Sequence, residues 1–234
     1  MTKLVFCVSA VAAWSTIATG GPCLPGTLQS YINLGAGGCQ SGAVQFGSFL
    51  AVPGQFGAAP IDPGQVQVTP GGSQFNPLLL LTLNRTATGA QLFESIFRFT
   101  AMGPLEDVSI ALNSPTATGN GVVTGILDVC PGANFAGSSP AGCPKTPASL
   151  IAFKSASDAQ LSAGTLVTPS SFFDVFVDLT VDGGLNGTAT LSSAAVGISA
   201  APEPSSVFLI AAGLGAIWVW RRRRTGEPGI HSEE

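Results

Sequence analysis

Residues 171–181 read Ser171-Phe172-Phe173-Asp174-Val175-Phe176-Val177-Asp178-Leu179-Thr180-Val181, where apolar and polar side chains alternate more clearly than elsewhere in the chain. Successive side chains of a β-strand point to opposite faces. The apolar side chains at odd positions from Phe173 to Val181 therefore share one face, and Asp174, Asp178 and Thr180 share the other. The pattern predicts a strand with one face in a core and the other in water.

Similar runs bounded by Gly, Pro, Asn and Ser recur along the chain and predict further strands. They lie at Val44–Val52, Leu78–Asn84, Leu92–Ala101, Val108–Leu112, Gly121–Val129, Ser149–Lys154 and Ala189–Ser199. The turn-forming residues 182–187 predict a hairpin that joins the last two strands. We expect two long surface loops, Pro53–Pro77 with an edge strand at Gln65–Thr69, and Pro131–Pro147. The prediction is an all-β fold, a single β-sandwich spanning residues 21–200.

The N-terminus has the pattern of a secretory signal peptide. Lys3 precedes the apolar run Leu4–Trp14, and small residues follow at Ala18 and Gly20. We therefore expect residues 1–20 to be removed on export.

The C-terminal segment has three consecutive parts. Pro202, Glu203 and Pro204 come first, an uncharged run from Ser206 to Trp220 follows, and Arg221, Arg222, Arg223 and Arg224 come directly after it. A helix of that length spans about 22 Å, which is short of a hydrocarbon core of about 30 Å. Because arginines are costly inside a bilayer but can extend their heads to its surface, they stop the segment and stay cytoplasmic. We expect one transmembrane helix at 206–220 and a polar cytoplasmic tail at 225–234.

This order resembles the PEP-CTERM sorting signal, residues 201–224 here, which exosortases recognise on exported bacterial proteins. The resemblance implies processing at Pro202, Glu203 and Pro204 by an exosortase, transient membrane anchoring, and release to the cell surface or extracellular matrix. The N-terminal segment is similar to the opening of many PEP-CTERM ectodomains, with Cys23, a Leu-x-x-Tyr-Ile segment ending at Ile32, and the pair Gly38-Cys39. That similarity implies a structural disulfide.

The cysteines predict two disulfides. Removal of the signal peptide takes Cys7 with it and leaves Cys23, Cys39, Cys130 and Cys143. An even number of cysteines in an oxidising compartment indicates disulfides, and three pairings are possible. We favour Cys23 with Cys39 and Cys130 with Cys143, because each pair closes a short glycine-rich loop. A zinc site is disfavoured by these spacings and by the absence of histidine between residues 21 and 203.

The composition excludes several classes of function. Between residues 21 and 203 the chain has four basic and ten acidic residues, which argues against binding nucleic acid. The single histidine, His231, lies beyond the arginines, so a histidine-dependent nucleophile is excluded from the exported domain. Glu94, Glu106 and Asp107 are the candidate carboxylates of a hydrolase, and solvent-facing carboxylates are the simpler interpretation. We expect no enzymatic activity, no cofactor and no metal, with calcium between Asp182 and Asn186 as a minor alternative.

The favoured function is a structural or interaction protein of the cell surface or matrix, with exopolysaccharide as a candidate partner. The alternative is a carbohydrate-binding module. Since all three tryptophans lie in the terminal segments, sugar stacking would depend on Tyr31 or on an exposed phenylalanine such as Phe176.

Overall fold

The computed structural model describes residues 20–54, 57–137, 140–201 and 212–217. Within them the chain is mostly β-structure, which confirms the all-β prediction. The strands are β1 Gly26–Thr27, β2 Cys39–Ser41, β3 Val44–Val52, β4 Ala59–Pro60, β5 Gln67–Gly72, β6 Pro77–Thr88, β7 Leu92–Asn113, β8 Thr116–Thr118, β9 Val122–Pro131, β10 Ala148–Ser155, β11 Ala159–Gln160, β12 Ser162–Asp182 and β13 Thr188–Ala200. The helices are α1 Leu28–Asn33 and two 3-10 turns, Gly35–Gly37 and Pro63–Gln65.

Hydrogen bonds connect the strands into one sheet, with the order β1-β5-β6-β13-β7-β12-β9-β10-β11. β3 also pairs with β7, β2 with β3, and β8 with β13, all antiparallel, whereas β4 pairs with β7 in parallel. The sheet is folded over so that its two halves face each other. The two layers of the predicted sandwich are therefore parts of one continuous sheet.

The sheet bends in the middle of its two longest strands, β7 and β12. The pairing of β7 with β12 shifts register between Leu166 and Phe172, opposite Gly103 and Pro104 of β7. Gly103 has φ +147°, and a Cβ there would lie 2.6 Å from the carbonyl oxygen of Ala43. Bulges and glycines of this kind allow a strand to turn a corner and pass from one layer to the other. The sequence predicted two strands, at 92–101 and 108–112. They are the parts of β7 before and after the bend, which we call its first arm and its second arm.

Each arm of β7 belongs to one layer. The front layer contains the first arm of β7, the second half of β12, and strands β3, β9 and β10. The back layer contains β5, β6, β13, the second arm of β7 and the first half of β12. Between the layers lies one core, in which the apolar face of β12 predicted from Phe173 to Val181 is fully buried. A Cβ on Gly125 of β9 would lie 3.0 Å from Ile110 and Leu112 of the back layer, so the layers are in close contact.

The two ends of this sandwich differ. At the apex end the sheet turns at Gly103-Pro104, and β13 ends there with the amide of Ala201 bonded to the carbonyl of Pro104 (2.7 Å). At the open end the arms of β7 begin and finish, and the segments 89–91, 118–121 and 183–187 meet through hydrogen bonds such as Gly89 N to Gly187 O (2.9 Å). β13 runs from the open end to the apex end.

The predicted hairpin at 182–187 is wrong. Both edges of the second half of β12 are occupied, by β7 and by β9, so the next strand cannot pair there. β13 pairs instead with β6, β7 and β8, and residues 183–187 cross between layers. The edge strand predicted at 65–69 is present as β5, and the 131–147 segment has no strand among its described residues beyond Pro131.

Candidate functional site

The outer face of the front layer, which the sequence predicted to be wet, carries a buried ion pair. Asp174 of β12 is fully buried, and its carboxylate accepts hydrogen bonds from Arg98 of β7, from Nε at 2.7 Å and from Nη2. The two residues are 76 positions apart in the chain, and the antiparallel pairing of Phe176 with Arg98 brings them together. The expectation of a solvent-facing polar row on β12 is therefore wrong at Asp174.

The loop after β9 covers this pair with its described residues, 132–137 and 140–147. The backbone amide of Phe135 donates to the Asp174 carboxylate (2.8 Å), and Arg98 donates to the carbonyls of Gly137 (2.6 Å) and Phe135 (3.2 Å). The Arg98 guanidinium also lies 5.9 Å from the centre of the Phe135 ring. An isolated buried carboxylate is very costly, whereas this one has a cation and a backbone donor as partners. The pair therefore holds the loop against the sheet.

A disulfide and a small apolar cluster secure the same loop. Cys130 at the end of β9 is bonded to Cys143, with the Cα atoms 5.6 Å apart. The outer cluster consists of Val52, Ile96, Cys130, Phe135 and Phe176, separate from the main core. The front layer is thus covered on both faces near the apex end.

Carboxyl groups lie close together farther along the same outer face. The pKa of Asp178 is raised to about 6, chiefly by burial and in addition by the nearby charges of Glu94 and Asp128, while a hydrogen bond from Thr180 (3.0 Å) lowers it. Burial also raises the pKa of Asp128, against a hydrogen bond from Ser149. In the described part of the chain, no group of three or more His, Cys, Asp or Glu side chains is arranged to hold a metal ion.

The N-terminal segment is fixed by the other disulfide. Cys23 is bonded to Cys39, with the Cα atoms 4.8 Å apart, so the predicted pairing is confirmed for both disulfides. Thr27 caps helix α1 by accepting the amide of Ser30 (3.1 Å), and Tyr31 donates its hydroxyl to the carbonyl of Leu24 (2.9 Å). Burial raises the pKa of Tyr31. A surface cavity of about 210 Å³ lies between this segment and Gly38-Cys39.

Several candidate residues lie elsewhere than the sequence predicted. Tyr31 and Phe176, the candidates for sugar stacking, are only 2% and 3% exposed, so neither offers a ring face to a glycan. Glu94 is in the front layer, and Glu106 and Asp107 are in the back layer beyond the bend. Because neighbouring residues of a strand point to opposite faces, Glu106 and Asp107 do not form a pair. The structure brings no two of these three carboxylates together.

The calcium candidate at the open end has a simpler role. The carboxylate of Asp182 accepts the amide of Gly184 (2.7 Å) and thereby stabilises the turn that leads to Asn186.

The sorting signal begins where the sandwich ends. Ala200, the last residue of β13, is buried, and its amide donates to the carbonyl of Phe75 (2.7 Å). Pro202, Glu203, Pro204 and the four arginines lie outside the described residues, as do residues 1–19 of the predicted signal peptide 1–20. Only 212–217 of the predicted transmembrane segment is described, and it is helical. Among the described residues, no helix has the length and apolar character needed to cross a bilayer.

Comparison with known proteins identifies the C-terminal segment. Residues 200–224 match the family model for the PEP-CTERM protein-sorting motif. No curated protein matches the sequence. Among solved structures, the enzymatically active domain of tailspike protein 4 from bacteriophage CBA120 is similar at 10% identity and a TM-score of 0.23. The aligned part is 70% of this chain and 21% of that one, so this chain spans about a fifth of the length of the tailspike domain.

The chain is therefore an all-β domain followed directly by a sorting motif. It carries a PEP-CTERM protein-sorting motif, which implies an exosortase as processing partner and export toward the cell surface through a transient membrane stage.

Proposed function

We propose that the exosortase cuts this protein at Pro202-Glu203-Pro204 and that residues 21–201 then serve as a non-catalytic structural or interaction domain of the cell surface or matrix. The observation that carries the proposal is the position of the sorting motif, which starts at the last residue of β13. The folded domain and the sorting signal are contiguous, so processing would release the sandwich with almost no additional chain.

The construction of the domain supports a structural role. Two disulfides, a buried ion pair and a front layer covered on both faces near the apex end would stabilise a small domain in an oxidising environment. The carbohydrate-binding alternative is weakened, because its two aromatic candidates are buried. A glycan array on the oxidised domain would test that alternative directly, and specific binding would favour it over a purely structural role.

The processing step is testable with one substitution. In a host that has the sorting enzyme, Glu203→Ala should make the full-length precursor accumulate in the membrane fraction. Glu106→Ala is the matched control, because it removes a glutamate from the domain and leaves the motif intact. Mass spectrometry of the native protein should find a C-terminus near residue 204. Recovery of native protein that retains Arg221 and His231 would contradict the proposal.

A further inference from the structure

We propose that the apex end of the sandwich rests on the bilayer in the unprocessed protein, with the open end directed away from the membrane. The apex end comprises loop 73–76, the bend at Gly103-Pro104, and Lys145. The inference depends on the proposed function, since it requires the segment 206–220 to be in the membrane. It goes further by assigning a lipid-facing surface to the folded domain.

The length of the connecting chain limits where the domain can lie. The amide of Ala201 is bonded to Pro104, and only residues 202–205 separate it from the apolar segment. The five residue-to-residue steps from Ala201 to Ser206 span at most about 17 Å when the chain is fully extended. β13 alone, with 13 residues, is about 43 Å long at about 3.3 Å per residue. The apex end is therefore held near the bilayer, and the open end lies beyond the reach of the connection.

The connecting chain also favours an upright domain. Pro202 and Pro204 restrict their own backbone and that of the residue before each to extended conformations. We expect a short segment of this sequence to leave in the direction of β13 and to continue the strand axis toward the membrane. A domain lying on its side would need a sharp turn within these few residues.

The chemistry of the apex end suits a lipid surface. Phe75, whose carbonyl binds the amide of Ala200, has a side chain that is 38% exposed, so an apolar ring lies beside the point where the chain leaves the domain. Lys145 lies at the same end, since a Cβ on Gly132 would be 2.7 Å from its Nζ and 3.1 Å from Ser170 Oγ. Ser170 pairs with Leu105, next to Pro104. An apolar ring at headgroup level and a cation near lipid phosphates are both favourable.

Tryptophan fluorescence can distinguish the two ends. Trp14, Trp218 and Trp220 are replaced by Phe, and one new tryptophan is placed at the apex end with Phe75→Trp or at the open end with Leu185→Trp. Leu185 is 79% exposed, so it is a matched apolar control at the other end of β13. In nanodiscs that contain brominated phosphatidylcholine, we expect quenching at position 75 to be at least twofold stronger than at position 185.

The outcomes separate this proposal from the proposed function. A precursor that does not co-purify with the discs contradicts membrane anchoring and this inference together. A precursor that inserts but shows equal quenching at both positions, or stronger quenching at position 185, contradicts only the orientation. A second pair of exposed positions, Gln74→Trp and Asn120→Trp, repeats the comparison without altering Phe75 and protects the result against a folding defect in one variant.

Discussion

The guanidinium of Arg98 binds the Asp174 carboxylate and two loop carbonyls, and its side chain is 17% exposed. Removing one partner of a buried ion pair leaves the other charge uncompensated and typically costs about 3–5 kcal/mol. We expect Arg98→Met to lower the free energy of unfolding by about that amount in urea denaturation. Lys154→Met is the control, because it removes a partly exposed cation from β10, and we expect its effect to stay within about 0.5 kcal/mol.

The corresponding double variant tests whether the cost comes from the stranded charge. Combining Arg98→Met with Asp174→Leu removes both charges, so the double variant should be more stable than Arg98→Met alone. If the double variant instead loses a free energy of unfolding equal to the sum of the two single losses, the two charges do not stabilise each other.

Asp178 makes the stability of the domain depend on pH. Its pKa is about 6 in the folded protein, above the ordinary value of 3.8, so the folded state binds more protons than the unfolded state between those values. The contribution of Asp178 to the free energy of unfolding should therefore be greatest below about pH 4, and it should fall as the pH rises toward 6. We expect Asp178→Asn to flatten the decline of the melting temperature over this window. Identical pH profiles for the variant and the parent would contradict the assignment.

Thr180 provides an independent check on the same carboxyl. Its hydroxyl donates to Asp178 and lowers the pKa of that group. Thr180→Val keeps the shape and removes the donor, so the pKa of Asp178 should rise. The decline in stability should then extend to higher pH.

At the scale of the elements, the 130–143 disulfide and the ion pair hold the same loop. Replacing Cys130 and Cys143 with Ser should cost about 3 kcal/mol, the value for a loop of about 15 residues. Hydrogen exchange should speed up at the amide of Phe135, which is bonded to Asp174. The matching Cys23→Ser, Cys39→Ser variant should leave that amide protected, and loss of its protection would contradict the local role of each disulfide.

The bend in β7 depends on one glycine. Gly103→Ala places a Cβ at a positive φ and within 2.6 Å of a backbone oxygen, so we expect a loss of about 1–3 kcal/mol. Gly164→Ala in β12 is the control, because the nearest atoms to a Cβ there lie at an ordinary 3.5 Å. Thermal melting of the two variants measures the difference, and equal melting temperatures would show that the bend does not require glycine.

Local patterns predicted the strands well and the connections poorly. β3 has the predicted bounds, because Val44–Val52 is flanked by turn residues. The sequence predicted separate strands at 92–101 and 108–112, since Gly and Pro usually bound strands, yet the pairing of β7 with β12 continues on both sides of Gly103-Pro104. The hairpin prediction failed because the pairing of β13 depends on which strand edges remain free, and that is a property of the whole sheet.

The candidate site was less predictable than the fold. The pattern of β12 placed Asp174 on the face opposite the core, which is correct, but it could not show that residues 132–147 cover that face. The available signal was the occurrence of Arg98 and Asp174, two opposite charges in two apolar strands. The strand register that brings these two residues together joins positions 76 apart in the chain, and it cannot be read from a single sequence.

For the whole molecule, we expect the four arginines after the apolar segment to determine membrane retention before processing. Replacing Arg221 to Arg224 with Ser removes the charges that are expected to keep the short segment in the bilayer. We expect less precursor in the membrane fraction of a strain that lacks the sorting enzyme. Unchanged retention would show that the apolar segment is sufficient alone.

β13 has a hydrogen-bonded neighbour along each edge, β6 on one side and β7 on the other, and the sorting motif, which contains the proposed processing site, begins at its last residue. A protein attached through that new C-terminus would receive any tension along the axis of this strand. The inter-strand hydrogen bonds run perpendicular to the strands, so a lengthwise pull with the open end held loads many of them in shear at once. Attachment at this point would let the domain bear mechanical force in a surface layer without unravelling from its end.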